Sequence, residues 1–470
     1  MSNTVTGRAV RINPYLAGNH APIHTEDDFE PTVRGTIPAE LNGAYYRNGP
    51  NPQFDPGPDD AYHPFIGDGM IHGFWLAEGR ARYRNRYVRT DRWRAEHQAG
   101  RRLFGGMGLP SDPSVAEVHS GGANTNIVYH AGKLLALQEA SNPFELEAAT
   151  LASKGWLETG GRFTAHPKID HETGELVWFA YAAASKTHGP LNSFIDYGVT
   201  AADGRILRRD RFEAPYCSMI HDFMITRNYV LFPVLPLVGD LERAKQGGPA
   251  FAWDPSKGAF LGVMKRNAGV DTLRWFEVDP RFVFHPMNAW EEGSKIHCEL
   301  MEYGHAPLFP ALDGTKPKEL GARLTRWTLD LAGDTNRVQR ERLADIPGEF
   351  PRFDERLTGL PYRHGWYAAN HEQHADIEFD SLIHVDLQTG SNVRRSLPAG
   401  ESVGEPIFVP KHATAPEGDG YVLATLYSQR HDQSSLLILN AQDIAGEPVA
   451  TLELPRRIPV GFHGNWVAAT

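Results

Sequence analysis

The chain has 470 residues, 41% of them hydrophobic and 22% charged, and a formal net charge of −11. This is the composition of a globular protein with material for a large core, and the acidic balance argues against nucleic acid or an anionic membrane as a principal partner. Two cysteines, Cys217 and Cys298, are too few for a disulfide framework and fit a reducing, cytoplasmic setting. The opening residues MSNTVTGRAVRINPYLAGNH lack the apolar segment of a signal peptide. No stretch approaches the ~20 apolar residues of a spanning helix, although a short apolar patch touching a membrane surface is compatible with the sequence.

Glycine and proline are frequent, at 46 and 34 residues, and are spread along the whole chain. That suits many short strands joined by turns. In chain order, a short helix is expected in DPSVAEVHSG. A strand follows in ELVWFAYAA, then strands in YVLFPVLPLV and a second short helix in LERAKQGG. RLTRWTLDL, SLIHVDL, YVLATLYS and SLLILNA complete the strand-like runs. Leu324, Trp327 and Leu329 alternate with polar neighbours, the period of a half-buried strand. Tight turns are expected at DHETGE, LDLAGDTN and DLQTGSN. No linker or charge block divides the chain, so residues 1–470 are expected to form one all-β domain.

Six residues fall on a nearly even ladder. His166, His221, His285 and His463 are separated by 55, 64 and 178 residues, and Glu349 and Glu405 split the last gap into 64, 56 and 58. A period near ~60 is what one four-stranded propeller blade with generous loops needs. One polar residue per blade, each aimed at the common axis, would bring four imidazoles together. Three of the four follow apolar pairs: Met219-Ile220, Val283-Phe284 and Gly461-Phe462. A buried imidazole must satisfy both nitrogens, which metal ligation on one and an acceptor on the other would do. Glu349 and Glu405 are the candidate acceptors. Four neutral ligands without a carboxylate or thiolate match neither the zinc hydrolases nor the two-histidine, one-carboxylate iron sites.

The motifs GAYYRNGPNPQF, HPFIGDGMIHGF, ANTNIVYHAGKLLALQEASNPFEL, TAHPKIDHETGEL, HDFMITRNYVLFP, FHPMNAWEEG, GEFPRFDER, GEPIFVP, EGDGYVLATLYS and PVGFHG run nearly end to end. Taken together they resemble the carotenoid cleavage oxygenases, non-haem iron enzymes that split an alkene with O2. The resemblance implies a seven-bladed β-propeller with an iron on its axis and a dome of loops and short helices over it. It implies that His166, His221, His285 and His463 ligate Fe(II), that Glu139, Glu349 and Glu405 support them, and that Thr125 stands beside the metal. His72 is not assigned to the metal. The glycines of RNGPNP and IGDGMIHGF are expected to shape turns.

The implied reaction is Fe(II)-dependent cleavage of a conjugated C=C bond with O2 into two carbonyl products. Relatives that cleave hydroxystilbenes carry a lysine before the ALQE glutamate and a tyrosine after an LFG segment. Here Gln138 and Met107 occupy the corresponding places. That favours a less polar substrate end, and hence a carotenoid or apocarotenoid, with stilbenoid or phenylpropenoid cleavage as the alternative. Retinoid-type isomerohydrolase chemistry and a non-catalytic propeller used only for binding are the further readings. The intact His and Glu set speaks against the last.

Overall fold

The computed structural model describes residues 13–54, 62–106, 111–184, 186–187, 189–316, 321–371 and 378–469. Met107 therefore lies outside the described residues. Every strand-like run named above forms a strand, among them Glu175–Ala180, Tyr229–Val234, Arg323–Asp330, Ser381–Asp386, Gly420–Ser428 and Gln433–Asn440. These strands pair antiparallel into seven blades.

The inner strands of blades two to seven are Asn126–His130, Lys168–Asp170, Met224–Ile225, Phe282–Glu292, Gly348–Phe353 and Ile407–Pro410. Blade one contains Gly43–Pro50, Gly69–Ala77 and Arg80–Tyr87, and takes the C-terminal strand Gly464–Ala468 beside Gly43–Pro50. The N-terminal segment closes the ring on the outside. Thr32–Gly35 pairs with Ala450–Glu453 of blade seven, and Asp28–Phe29 with Arg80–Tyr87 of blade one. Both chain ends thus pair across the one seam that a ring of blades must close.

The core lies between blades. Trp178, Trp327 and Trp366 are fully buried, and Trp366 of blade six stacks on Phe408 of blade seven with ring centroids 4.9 Å apart. Apolar residues on both faces of each blade make this packing possible, because every blade is sandwiched by two neighbours.

Long connections carry the cap. One joins blades one and two and contains the helix Asp91–Ala99. A second, inside blade four, carries the hairpin Leu237–Gly239/Phe251–Trp253 and the helix Leu241–Lys245 expected from LERAKQGG. DPSVAEVHSG forms only a single 3-10 turn, Pro113–Val115, whose proline at the first position suits a turn start but whose sequence lacks the length for a helix. The helix Asp91–Ala99 is not signalled by periodicity. Its buried face is Arg92, Trp93 and Glu96, so two of three inward residues are charged. Its ends are conventional: Thr90 accepts the Trp93 N–H at 3.2 Å, and Gly100 closes it at φ 65°.

Two of the signature glycines, Gly49 and Gly69, do not act as the sequence suggests. Gly49 lies inside a strand, and a Cβ there would sit 2.5 Å from the Gly461 Cα. A Cβ on Gly69 would sit 2.3 Å from the Ala123 carbonyl oxygen. Neither has a positive φ. They permit close backbone approach of three segments, and the same approach lets Asn48 donate to the carbonyls of Ala123 and Asn126, each at 2.9 Å.

Gly198 tests the packing logic. It lies opposite Trp178 on the neighbouring strand, and an added Cβ would sit 2.1 Å from two ring atoms of that indole. The indole is pinned by a hydrogen bond from Nε1 to Thr200 Oγ1 at 3.1 Å, so it cannot swing aside freely. Gly198→Ala is expected to destabilise the fold by about 1–3 kcal/mol through overpacking. Calorimetry should show a lowered unfolding midpoint, and an unchanged one would mean that blade three repacks at no cost.

Candidate metal centre and the cavity above it

All but one of the functional side chains sit at or just before an inner strand. His166 precedes Lys168–Asp170, His221 precedes Met224–Ile225, His285 lies within Phe282–Glu292, and His463 precedes Gly464–Ala468. Glu349 lies in Gly348–Phe353, Glu405 precedes Ile407–Pro410, and Glu139 follows Lys133–Leu137. All seven blades supply one member, which is the spatial content of the ladder.

Two bulges aim the central members. Pairing shifts on either side of Pro286 in blade five, next to His285. It shifts again between Glu349 and Arg352, where Phe350 adopts φ 55°. A bulge bends the strand and re-aims the adjacent side chain, and a non-glycine residue at positive φ is strain held in place by its surroundings.

The four histidines are buried, and one ligand atom from each lies within 4.8 Å of every other. His221 Nε2 is 3.1 Å from both His166 Nε2 and His285 Nε2. The other ring nitrogens point outward to carboxylates. His221 Nδ1 contacts Glu139, His285 Nδ1 is 2.6 Å from Glu349 Oε2, and His463 Nδ1 is 2.9 Å from Glu405 Oε1. An Nδ1–H donated to a carboxylate leaves Nε2 with its bare lone pair facing the centre. His166 differs: its Nδ1 has only Asp222 Oδ2 nearby, at 3.9 Å, and Asp222 is held by Lys168 at 2.8 Å.

The electrostatics fit a cation. Burial, reinforced by the neighbouring imidazoles, holds His166 and His285 well below the usual histidine range. Burial also lowers His463, against the pull of Glu405. All three are neutral at pH 7, as metal ligands must be. The carboxylates diverge. Burial pushes Glu349 up to about 8, despite the Phe350 N–H and the Tyr303 hydroxyl. Glu405 is equally buried, yet Arg352 and His463 outweigh that burial and hold it low. A dication at the histidines would favour the ionised form of Glu349 and release its proton.

The supporting residues extend beyond the ladder. Tyr181 donates to Glu139 Oε2 at 2.6 Å, Arg352 to Glu405 Oε1 at 3.2 Å, and the Gly464 N–H to Glu405 Oε2 at 2.8 Å. Tyr181 and Arg352 carry no sequence signal of their own; Arg352 lies three residues from Glu349 in the GEFPRF motif, the nearest thing to one. His72 bonds Tyr83 through Nδ1 at 2.8 Å and is a satisfied core histidine.

The cluster lies between two cavities that share His285 and His463. One, of about 380 Å³, is lined by inner-strand residues and polar groups including Lys168, Asp222 and Arg352. The other, of about 440 Å³, lies under the cap and is walled largely by aromatics, among them Phe65, Phe104, Phe251, Phe309, Phe379 and Phe462. Thr125, Gln138 and Glu139 line it as well. Thr125 donates its hydroxyl to Asn124 Oδ1 at 3.0 Å, and its carbonyl accepts the His463 N–H at 3.3 Å. Gln138 Oε1 accepts the N–H groups of Gly122 and Ala123 at 2.6 and 3.2 Å, so its amide has only N–H donors left to offer. Arg92, unremarked in the sequence, is also on this wall. No helix among the described residues is long and apolar enough to cross a membrane.

Comparison with known proteins agrees with this geometry. The chain is 37% identical to an isoeugenol monooxygenase of Pseudomonas nitroreducens over 98% of its own length and 99% of the relative's. It is 36% identical to carotenoid cleavage oxygenase 1 of Neurospora crassa, over 96% of this chain and 90% of that one. The crystal structure of a Pseudomonas brassicacearum lignostilbene dioxygenase superposes with a TM-score of 0.92 at 35% identity, covering 97% of this chain and 98% of that one. The sequence model of the retinal pigment epithelial membrane protein family, RPE65, matches residues 20–468, and the chain belongs to that family, the one that also holds the carotenoid cleavage oxygenases.

Proposed function

We propose that this chain is an Fe(II)-dependent dioxygenase that cleaves a conjugated C=C bond into two carbonyl products. The observation that carries the reading is the donor set: four buried imidazoles, three of them backed by carboxylates, at the boundary of an aromatic cavity. His166, His221, His285 and His463 would hold the iron, which supplies dioxygen binding and activation when bound.

The protein's own residues do the rest. Glu139, Glu349 and Glu405 fix the tautomer and ring plane of their histidines. Thr125 narrows the cavity beside the cluster. The aromatic walls exclude water and hold the alkene flat against one approach direction. Each oxygen atom ends in one carbonyl as the C=C bond breaks, and the alkene itself is the reductant, so no reducing cosubstrate enters.

The leading substrate class is a carotenoid or apocarotenoid. Aromatic walls can hold a long polyene by burial alone, at about 25 cal/mol per Å². Arylalkenes of the stilbenoid and phenylpropenoid type are the second reading. The donor end of Gln138 favours it, as do the likenesses to an isoeugenol monooxygenase and a lignostilbene dioxygenase.

Purified protein is expected to carry one iron per chain, and His221→Ala or His285→Ala should abolish both activity and iron retention. Elemental analysis that finds zinc as the activity-supporting metal would overturn the assignment. Replacing Glu139, Glu349 or Glu405 by Gln should leave the fold intact and weaken iron affinity or turnover by roughly 10–100-fold. Full activity in all three variants removes these carboxylates from the mechanism. With ¹⁸O₂ and short incubations that limit exchange with water, one label should appear in each carbonyl product. Label confined to one product, with exchange controlled, would indicate monooxygenase chemistry.

A further inference from the structure

The cap places an unused cation on the wall of the substrate cavity. Arg92 and Glu96 are four residues apart on the helix Asp91–Ala99 and so share one face. Glu96 Oε1 accepts the N–H groups of Leu103 and Phe104, both at 2.9 Å, and ties the chain after the helix back onto it. That places the Phe104 ring against the Arg92 guanidinium, with Cζ 5.6 Å from the ring centroid. Arg92 is only 7% exposed. Its nearest anion is Asp68, whose Oδ1 is 3.6 Å from Nε, beyond hydrogen-bond reach. Both that Nε and that Oδ1 are buried without a hydrogen-bond partner. Among the described residues no acceptor takes any of the five N–H groups of this guanidinium. Asp68 offsets the charge of this guanidinium but takes none of its N–H groups, and a native protein keeps such donors where a ligand or water completes them.

The surroundings select the ligand. Arg92 shares the cavity with Ser111, Ser120, Gln138 and the metal-facing histidines. Gln138 has spent its carbonyl on two backbone N–H groups and offers donors only. A planar guanidinium on a cavity wall that also carries an amide N–H is a receptor for an acceptor oxygen, neutral or anionic. We infer that Arg92 is a specificity-determining residue that binds a terminal oxygen acid of the alkene substrate, either the phenol of an arylalkene or the carboxylate of an apocarotenoid acid. It supplies from the cap the positive charge that Gln138 does not. This inference rests on the proposed alkene-cleaving function, and it deepens that reading by naming one end of the substrate.

Ligand binding separates the inference from turnover. Iron-loaded wild type, Arg92→Met and Arg92→Lys are titrated under argon. The probes are trans-4-hydroxystilbene, trans-stilbene, an apocarotenoic acid and the matching apocarotenal, with binding read by ligand or tryptophan fluorescence. For the oxygen-acid probe that is the true class, Arg92→Met should raise Kd roughly 10–100-fold, the range for a lost charge-assisted hydrogen bond. Its neutral counterpart, which offers the guanidinium no charged acceptor, should change less than about threefold. Arg92→Lys should fall between. A loss confined to the hydroxystilbene assigns the phenol, and one confined to the acid assigns the carboxylate. Because Arg92→Met strands Asp68, the double variant Arg92→Met/Asp68→Asn is included. Within each variant, the ratio of affinities for acid and neutral probes is insensitive to general loosening. Equal losses on paired probes, no loss on any, or no binding of either oxygen acid to wild type overturns the inference. Should wild type bind these probes with the expected discrimination and cleave none of them in air, the alkene-cleaving function fails while the Arg92 site stands.

Discussion

Lone-pair repulsion at the propeller axis is the constraint around which the site is built. His221, His285 and His463 turn Nδ1 to a carboxylate and so present Nε2 to the centre, where His221 Nε2 lies 3.1 Å from the Nε2 atoms of both His166 and His285. Without a cation between them this arrangement is unfavourable, and with one it is a ligand cage. The carboxylates therefore do more than hold rings in place: by accepting a hydrogen bond from the outer nitrogen they favour the tautomer that leaves the inner one to bind. His166 obeys the same geometry without a carboxylate in hydrogen-bond reach, since Asp222 is spent on Lys168. That makes it the one ligand whose ring is oriented chiefly by its place in the chain.

A propeller suits such a cage because its blades deliver one residue each to a common axis. The delivery is not free of strain. Pairing breaks beside His285 and Glu349, and Phe350 is held at positive φ between Glu349 and Arg352. Strain of this kind persists only where packing over-determines it. Here the packing is supplied by blades clamped on both faces, and by a seam closed from both chain ends. The RNGP segment adds a second clamp. Asn48 and Gly49 bring the Ala123–Asn126 and Gly461–His463 segments together, so Thr125 and His463 are positioned by the same contact.

The two sides of the cluster divide the chemistry. Below, inner-strand residues line a polar cavity with Lys168, Asp222 and Arg352. Above, the walls are largely aromatic, and the polar groups among them include Asn124, Gln138, a pair of serines and Arg92. The floor determines what metal chemistry is possible, and the cap determines which alkene reaches it. Floor residues are held by many cross-strand bonds. The Arg92 corner, by contrast, rests on one short helix and on the two N–H groups that Glu96 accepts.

Much of this is written in the order of residues. The ladder from His166 to His463, with Glu349 and Glu405 between, follows from blade length, because a repeating architecture converts spatial symmetry into sequence period. The strand runs are equally legible, since alternation and turn residues are local properties. What the order of residues could not reveal depends on segments far apart in the chain. Glycines 49 and 69 read as turn formers, yet their role is an approach to residues 461 and 123 that no local pattern records. The helix Asp91–Ala99 escapes periodicity because its inner face is largely charged. Tyr181 is one aromatic among 16 tyrosines until folding sets its hydroxyl on Glu139. Gln138 and Met107 suggest a less polar substrate end, and Met107 lies outside the described residues; only the fold reveals that Gln138 turns its carbonyl away and that Arg92 faces the same cavity. Sequence by itself determined the blades and the four histidines that meet on the axis, because both follow the blade period. Which polar groups face the cavity was decided by tertiary structure alone, because the partners that leave or take up each buried donor come from distant parts of the chain.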